Sequence, residues 1–184
     1  MNAQRQIITS LIGPRCSGKT SVGRRLSELM EVAFVDLDTK LVELHAKESG
    51  VTEPGPGAVL ESIGEPAFRQ LEARALRQAL ANKVPCVLAT GGGVVGMSAH
   101  RRLLRERTTC VRLVAAPDLL RTRLANDPTP RPALIGDDAL AEIEALIEQR
   151  EPLYAETSHI TIDCGDDDVE VLAHRIQTIL KSRS

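Results

Sequence analysis

Residues Gly13, Pro14, Arg15, Cys16, Ser17, Gly18, Lys19 and Thr20 follow the spacing GxxxxGK[ST]. The run follows an apolar stretch, IITSLI, and opens an amphipathic one, SVGRRLSELM, so it reads as a loop between a strand and a helix. In such a loop successive backbone N–H groups and the helix N-terminus, here through Thr20 and Ser21, converge on phosphate oxygens. Lys19 would neutralise charge on the β- and γ-phosphates, and the Thr20 hydroxyl would ligate Mg²⁺. This is the signature of a nucleotide site.

Two carboxylates end the next apolar run, in Phe34-Val35-Asp36-Leu37-Asp38. A strand here delivers them to the C-terminal edge of a sheet, where open α/β sheets bind ligands. Asp36 is placed to hold Mg²⁺ through a bound water. Asp38 can accept a hydrogen bond from an acceptor hydroxyl and take its proton late in transfer. Asp38 also precedes TKLVELHAK, where it would cap a helix. Gly91, Gly92 and Gly93 follow a third apolar run and leave backbone amides open to close approach. Arg69, Arg131 and Arg150 carry planar guanidinium groups suited to bidentate recognition of a carboxylate or phosphate, or to surface ion pairs. Arg131 lies in a proline-rich stretch and could close over the phosphates. Spacing alone does not choose among these roles.

Short β-branched runs at 7–12, 32–35, 84–89, 110–114 and 160–163 alternate with helical patterns at 19–30, 38–48, 65–82, 97–106, 117–126, 138–150 and 167–181. Alternation of this kind predicts a three-layer α/β fold, a parallel sheet with helices on both faces. Residues 49–58, rich in proline and glycine, read as an irregular loop, and 127–137 as a longer binding loop or lid. Asp166, Asp167 and Asp168 read as the cap of the last helix, and Arg101, Arg102, Arg105 and Arg107 as a solvated helix face.

The chain has 184 residues, 42% hydrophobic and 26% charged, enough for one domain with a sizeable core. A formal charge of −2 gives no general field for nucleic acid or an anionic membrane. The aromatic side chains are Phe34, Phe68 and Tyr154, too few for a single-strand stacking platform. Cys16, Cys86, Cys110 and Cys164 form no CxxC pair, which points away from a zinc knuckle or disulfide framework and toward a reducing compartment. The N-terminal apolar run is too short to span a membrane, and the expected location is the cytoplasm.

Taken together, GPRCSGKT, FVDLD, GEPAFRQLE, ATGGGVV, RLANDPTPRPALIG and REPLYAE, in this order, resemble the shikimate kinase family from about Ile7 to Leu180. The resemblance implies an adenylate-kinase-like P-loop core with a five-stranded parallel sheet, a substrate-binding helical region at 39–83 and a mobile lid at 124–137. It implies transfer of the γ-phosphoryl of ATP to the 3-hydroxyl of shikimate, with Mg²⁺, in the pathway to chorismate and aromatic amino acids, by a monomer. Asp38 would contact the shikimate hydroxyls as the candidate base. Arg69 and Arg150 would bind the carboxylate, and the amides of Gly91, Gly92 and Gly93 would complete the pocket. Arg131 would be the lid arginine, Arg123 the arginine packed on adenine, and Glu72 the acid that orients Arg69. Three features depart from the family pattern: cysteine stands at position 16 where glycine is usual, the 49–58 segment is longer, and the loop after the last strand, CGDDD, lacks the proline that some members place against adenine. The competing readings are another hydroxy-carboxylate kinase of the same architecture, such as a gluconate kinase, and a non-catalytic kinase-like ligand sensor.

Overall fold

The computed structural model describes residues 8–81, 84–125, 139–165 and 167–183. Five strands, β1 (Ile8–Ile12), β2 (Ala33–Asp36), β3 (Cys86–Ala89), β4 (Thr108–Val114) and β5 (Ile160–Asp163), form one parallel sheet in the order β2-β3-β1-β4-β5. Around it run α1 (Lys19–Met30), α2 (Leu37–Ser49), α3 (Pro56–Ala81), α4 (Ser98–Arg107), α5 (Pro117–Ala125), α6 (Ala139–Thr157) and α7 (Val169–Ser182). A 3-10 turn, Val94–Gly96, follows the triple glycine.

Strand periodicity sorts the apolar residues into two cores, because alternate side chains point to opposite faces. Leu11, Val87, Val111 and Leu113 face one layer, with Val22 and Leu26 of α1 and Leu172 and Ile176 of α7. Ile8, Ile12, Leu88 and Cys110 face the other, with Leu41 of α2, Leu71 and Leu76 of α3, Leu104 of α4 and Tyr154 of α6. The central strands are buried on both faces, with Thr9 and Ser10 of β1 and Arg112 of β4 enclosed among the apolar residues. The edge strand β5 alternates buried Ile160 and Ile162 with exposed Thr161 and Asp163.

β1 lies between β3 and β4. The chain leaves β1 through α1 on one face and leaves β3 through α4 on the other, so a crevice opens at their C-terminal ends. The phosphate-loop motif and the triple glycine are the loops at that crevice, the place where doubly wound sheets bind ligands.

Three expectations are corrected. Residues 56–58 are helical rather than loop, because α3 starts at Pro56, with Val59 N–H bonded to Gly55 O at 3.2 Å and Val59 fully buried. Proline at a helix start loses no hydrogen bond, so here it opens a helix. The chain breaks at Gly64 (φ 75°, ψ 161°) and the helix resumes, with Pro66 in its first turn. α6 does not stop before Pro152 but runs to Thr157; its end is held by Arg105, which donates to Glu156 O at 2.8 Å and Ser158 O at 3.1 Å. Arg101 likewise donates to Val95 O at 3.0 Å and pairs with Glu156 at 3.2 Å, so Arg101 and Arg105 fasten neighbouring segments, while Arg102 and Arg107 are exposed. The cap expected at α7 is present, with the Asp168 carboxylate accepting from Val171 N–H at 2.9 Å.

Candidate active site

The phosphate loop is shaped by three left-handed residues, Gly13 (φ 147°), Cys16 (φ 61°) and Gly18 (φ 89°). A Cβ on Gly13 would sit 2.5 Å from Leu113 O, so only glycine lets the loop leave β1 against the end of β4. Gly18 begins α1, and among the described residues no side chain caps that helix, which leaves its first-turn N–H groups for a ligand. Lys19 is buried, its Nζ 2.6 Å from Pro14 O and 3.4 Å from Ser17 Oγ, curled along the loop it would serve. Arg123 of α5 donates to Cys16 O at 3.4 Å, which places a guanidinium beside the loop.

At the mouth of α1 the Thr20 hydroxyl donates to Asp36 Oδ2 at 3.1 Å. The other oxygen of Asp36 accepts from the N–H groups of Asp38 (3.0 Å) and Thr39 (3.4 Å). Asp36, not Asp38, therefore caps α2, and the expectation of a cap at Asp38 is corrected. Capping by Asp36 leaves the Asp38 carboxylate to point elsewhere: a Cβ placed on Gly91 would lie 2.7 Å from Asp38 Oδ1.

The three glycines each border a different part of the site. Gly91 abuts Asp38, a Cβ on Gly92 would lie 3.3 Å from Arg15 N in the phosphate loop, and one on Gly93 would lie 3.0 Å from Arg69 Nη1. Beside them opens a cleft of about 330 Å³ whose lining includes Arg69, Arg150, Gly93, Met97 and Leu153. Arg69 is braced by Glu72 at 3.1 Å from the buried side and Glu65 at 3.4 Å from the rim, and it lies over Phe68. Arg150 donates to Gly92 O at 3.3 Å, and Tyr154, one helical turn on, donates to the same oxygen at 2.6 Å. Burial pushes the Tyr154 hydroxyl up to about 12, so it keeps its proton and remains a donor. The arrangement joins an anion-binding loop, a carboxylate and a two-arginine cleft along one glycine wall.

Sequence reasoning placed Lys19, Thr20, Asp36, Asp38, Arg69, Arg150 and the glycines at this edge, and the structure brings them together. Arg131 and the rest of 126–138 lie outside the described residues. Missed were Tyr154, legible as the i+4 neighbour of Arg150 on one helix face, and His100. Nothing in the sequence marks His100, which lies between Glu72 of α3 and the turn at Val94.

Sheet order and phosphate loop define a P-loop nucleotide-binding protein of the small-kinase type. Comparison with known proteins narrows this. The family model "Shikimate kinase" matches residues 15–181. The shikimate kinase of Nitrosospira multiformis is 36% identical over 95% of this chain and 86% of its own length, and that of Dechloromonas aromatica is 39% identical over 83% and 79%. Among solved structures, shikimate kinase from Acinetobacter baumannii in complex with shikimate superimposes with a TM-score of 0.85 at 31% identity, covering 99% of this chain and 97% of that one. The chain belongs to the shikimate kinase family.

Proposed function

We propose that this protein transfers the γ-phosphoryl group of ATP to the 3-hydroxyl of shikimate. The observation that carries the reading is the shared glycine wall, which sets Asp38, the phosphate loop and Arg69 against three consecutive residues. An acceptor with a carboxylate held by Arg69 and Arg150 would present a hydroxyl near Asp38 and the phosphate loop. Two arginines fix both the position and the orientation of a small planar anion.

The acceptor oxygen attacks the γ-phosphorus in line, the bond from that phosphorus to the β,γ-bridging oxygen breaks, and ADP leaves with the electron pair. Asp38 accepts the hydroxyl proton as the new P–O bond forms. The α1 N-terminus, the loop amides and Lys19 offset charge on the transferring group. Arg123 supports the nucleotide from α5, and Arg131 is the residue proposed to close over it, with 124–137 as lid and 39–83 as the acceptor-binding region. Closure would exclude water, the competing acceptor.

Mg²⁺ is the metal the reaction calls for, and the donors fit it. Thr20 and Asp36 lie together at the helix mouth, and among the described residues no group of three or more His, Cys, Asp or Glu forms a protein-only cage. Mg²⁺ is commonly bound by one or two side chains with phosphate and water completing its shell. Thr20 directly, and Asp36 through water, would hold the ion, which when bound neutralises phosphate charge. We place the protein in the cytoplasm as a monomer; its four cysteines are free, and among the described residues no helix is long and apolar enough to cross a membrane.

The test is ADP release from Mg²⁺-ATP with shikimate, quinate, gluconate or no acceptor. Saturable turnover with shikimate well above the others supports the reading. Preference for gluconate, or nucleotide binding with no acceptor-dependent turnover, contradicts it.

A further inference from the structure

Arg69 is the exposed end of a buried polar chain. Its Nη1 donates to Glu72 Oε2 at 3.1 Å, and the same oxygen lies 3.7 Å from Nδ1 of His100. Glu72 and His100 are both almost wholly buried. His100 Nδ1 is also 3.2 Å from Val94 O. A carbonyl can only accept, so Nδ1 carries the ring proton and donates it. That N–H therefore grips the residue directly after Gly93, while the ring itself lies beside the Glu72 carboxylate, with Oε2 beyond hydrogen-bond distance of the same nitrogen. Nε2 is buried and has no hydrogen-bond partner among the described residues, and burial lowers the pKa of the ring despite the nearby Glu72. The ring is neutral and fixed in one tautomer.

We propose that His100 is a positioning residue for acceptor binding, acting through Glu72 on Arg69 and through Val94 on the glycine wall. The proposal rests on the reading of the cleft as the shikimate site. Arg69 has two anionic partners, buried Glu72 and exposed Glu65 at the rim. Glu72 must stay oriented toward Arg69 for the guanidinium to face the cleft. The His100 ring packs beside Glu72, its Nδ1 3.7 Å from Oε2; a Glu72 carboxylate deprived of that ring gains room to turn, and Arg69 then moves toward Glu65. The His100 N–H fixes the turn that begins at Val94, so one side chain sets the distance between Arg69 and the loop opposite it.

The test compares His100→Asn, whose amide N–H falls near the position of Nδ1, with His100→Gln, whose longer side chain carries its amide toward the position of Nε2. The readouts are KM for shikimate, KM for ATP, kcat and the thermal midpoint. For H100Q, the shikimate KM rises roughly tenfold, the loss of one buried hydrogen bond, with ATP KM and kcat within about twofold of the parent. H100N restores shikimate KM to within about threefold. His100→Ser, which lacks a donor of that reach, replaces H100Q if the latter does not fold. An unchanged shikimate KM in H100Q overturns the proposal. So does an equal rise in both variants alongside a lowered thermal midpoint, the mark of a merely structural histidine. Absence of shikimate turnover in the parent protein overturns the underlying reading and is seen in that arm alone.

Discussion

Asp38 sits so close to the backbone of Gly91 that a methyl group there would lie 2.7 Å from its Oδ1. A carboxylate held this way faces the crevice instead of capping its own helix, a task taken by Asp36. Gly91→Ala must therefore displace Asp38. The expected result is a loss of kcat of roughly tenfold or more, the sensitivity of a reaction to small misplacement of a positioned group, with ATP affinity retained. Steady-state kinetics with nucleotide titration checks it; unchanged kcat would show that the approach is not needed.

The hydroxyl of Tyr154 and the guanidinium of Arg150 share one acceptor, Gly92 O. Tyr154→Phe removes a buried hydrogen bond and lowers stability by about 1 kcal/mol. It also loosens α6 against the glycine wall, so shikimate KM rises a few-fold while ATP KM holds. Urea denaturation and kinetics measure both effects; a variant equal to the parent in both contradicts the assignment.

Cys16 occupies the left-handed region at φ 61°, which explains why glycine is at home in this loop position. Cys16→Gly relieves the backbone but widens the unfolded ensemble, two effects of about 1 kcal/mol or less that oppose each other. Its stability is expected within about 0.5 kcal/mol of the parent, with ATP binding intact. Cys16→Val, β-branched at positive φ, costs about 1–3 kcal/mol and weakens ATP binding. Equal stability of the three proteins in urea would contradict the strain argument.

Two histidines make stability fall on the acid side. His159 Nδ1 accepts the Cys110 N–H at 3.0 Å, so the ring is held neutral, and burial with Arg105 and Arg183 nearby lowers its pKa from 6.5. Burial lowers His100 likewise. The unfolded chain binds protons here before the folded one does, so their contribution is full above about pH 6.5 and lost as pH falls through the lowered folded values. Urea midpoints should fall from pH 7 to pH 5, less steeply in His159→Asn, whose amide oxygen accepts the same N–H without titrating. The same slope in both proteins would rule out His159 as a source.

Much of this was legible in the sequence because the relevant signals are local. The phosphate loop carries its glycines and lysine within one turn, and β5 and α1 follow from uninterrupted patterns. Pro56 and Pro152 misled because proline marks a boundary without saying which side is helical; at Pro56 a helix begins, and at Pro152 tertiary contacts carry it through. The cap passed from Asp38 to Asp36 because two aspartates stand two residues apart and only backbone geometry separates them. His100 was invisible for a different reason. Its partners, Glu72 and Val94, come from a distant helix and a turn, and a lone histidine declares neither.

The central claim is that acceptor hydroxyl and nucleotide meet between Asp38 and Lys19. The most direct measurement is steady-state shikimate phosphorylation by Asp38→Asn, with ATP binding followed in the same preparation. The account predicts kcat lower by roughly 10²–10⁴-fold with ATP affinity unchanged. Parent-like turnover in Asp38→Asn would contradict it.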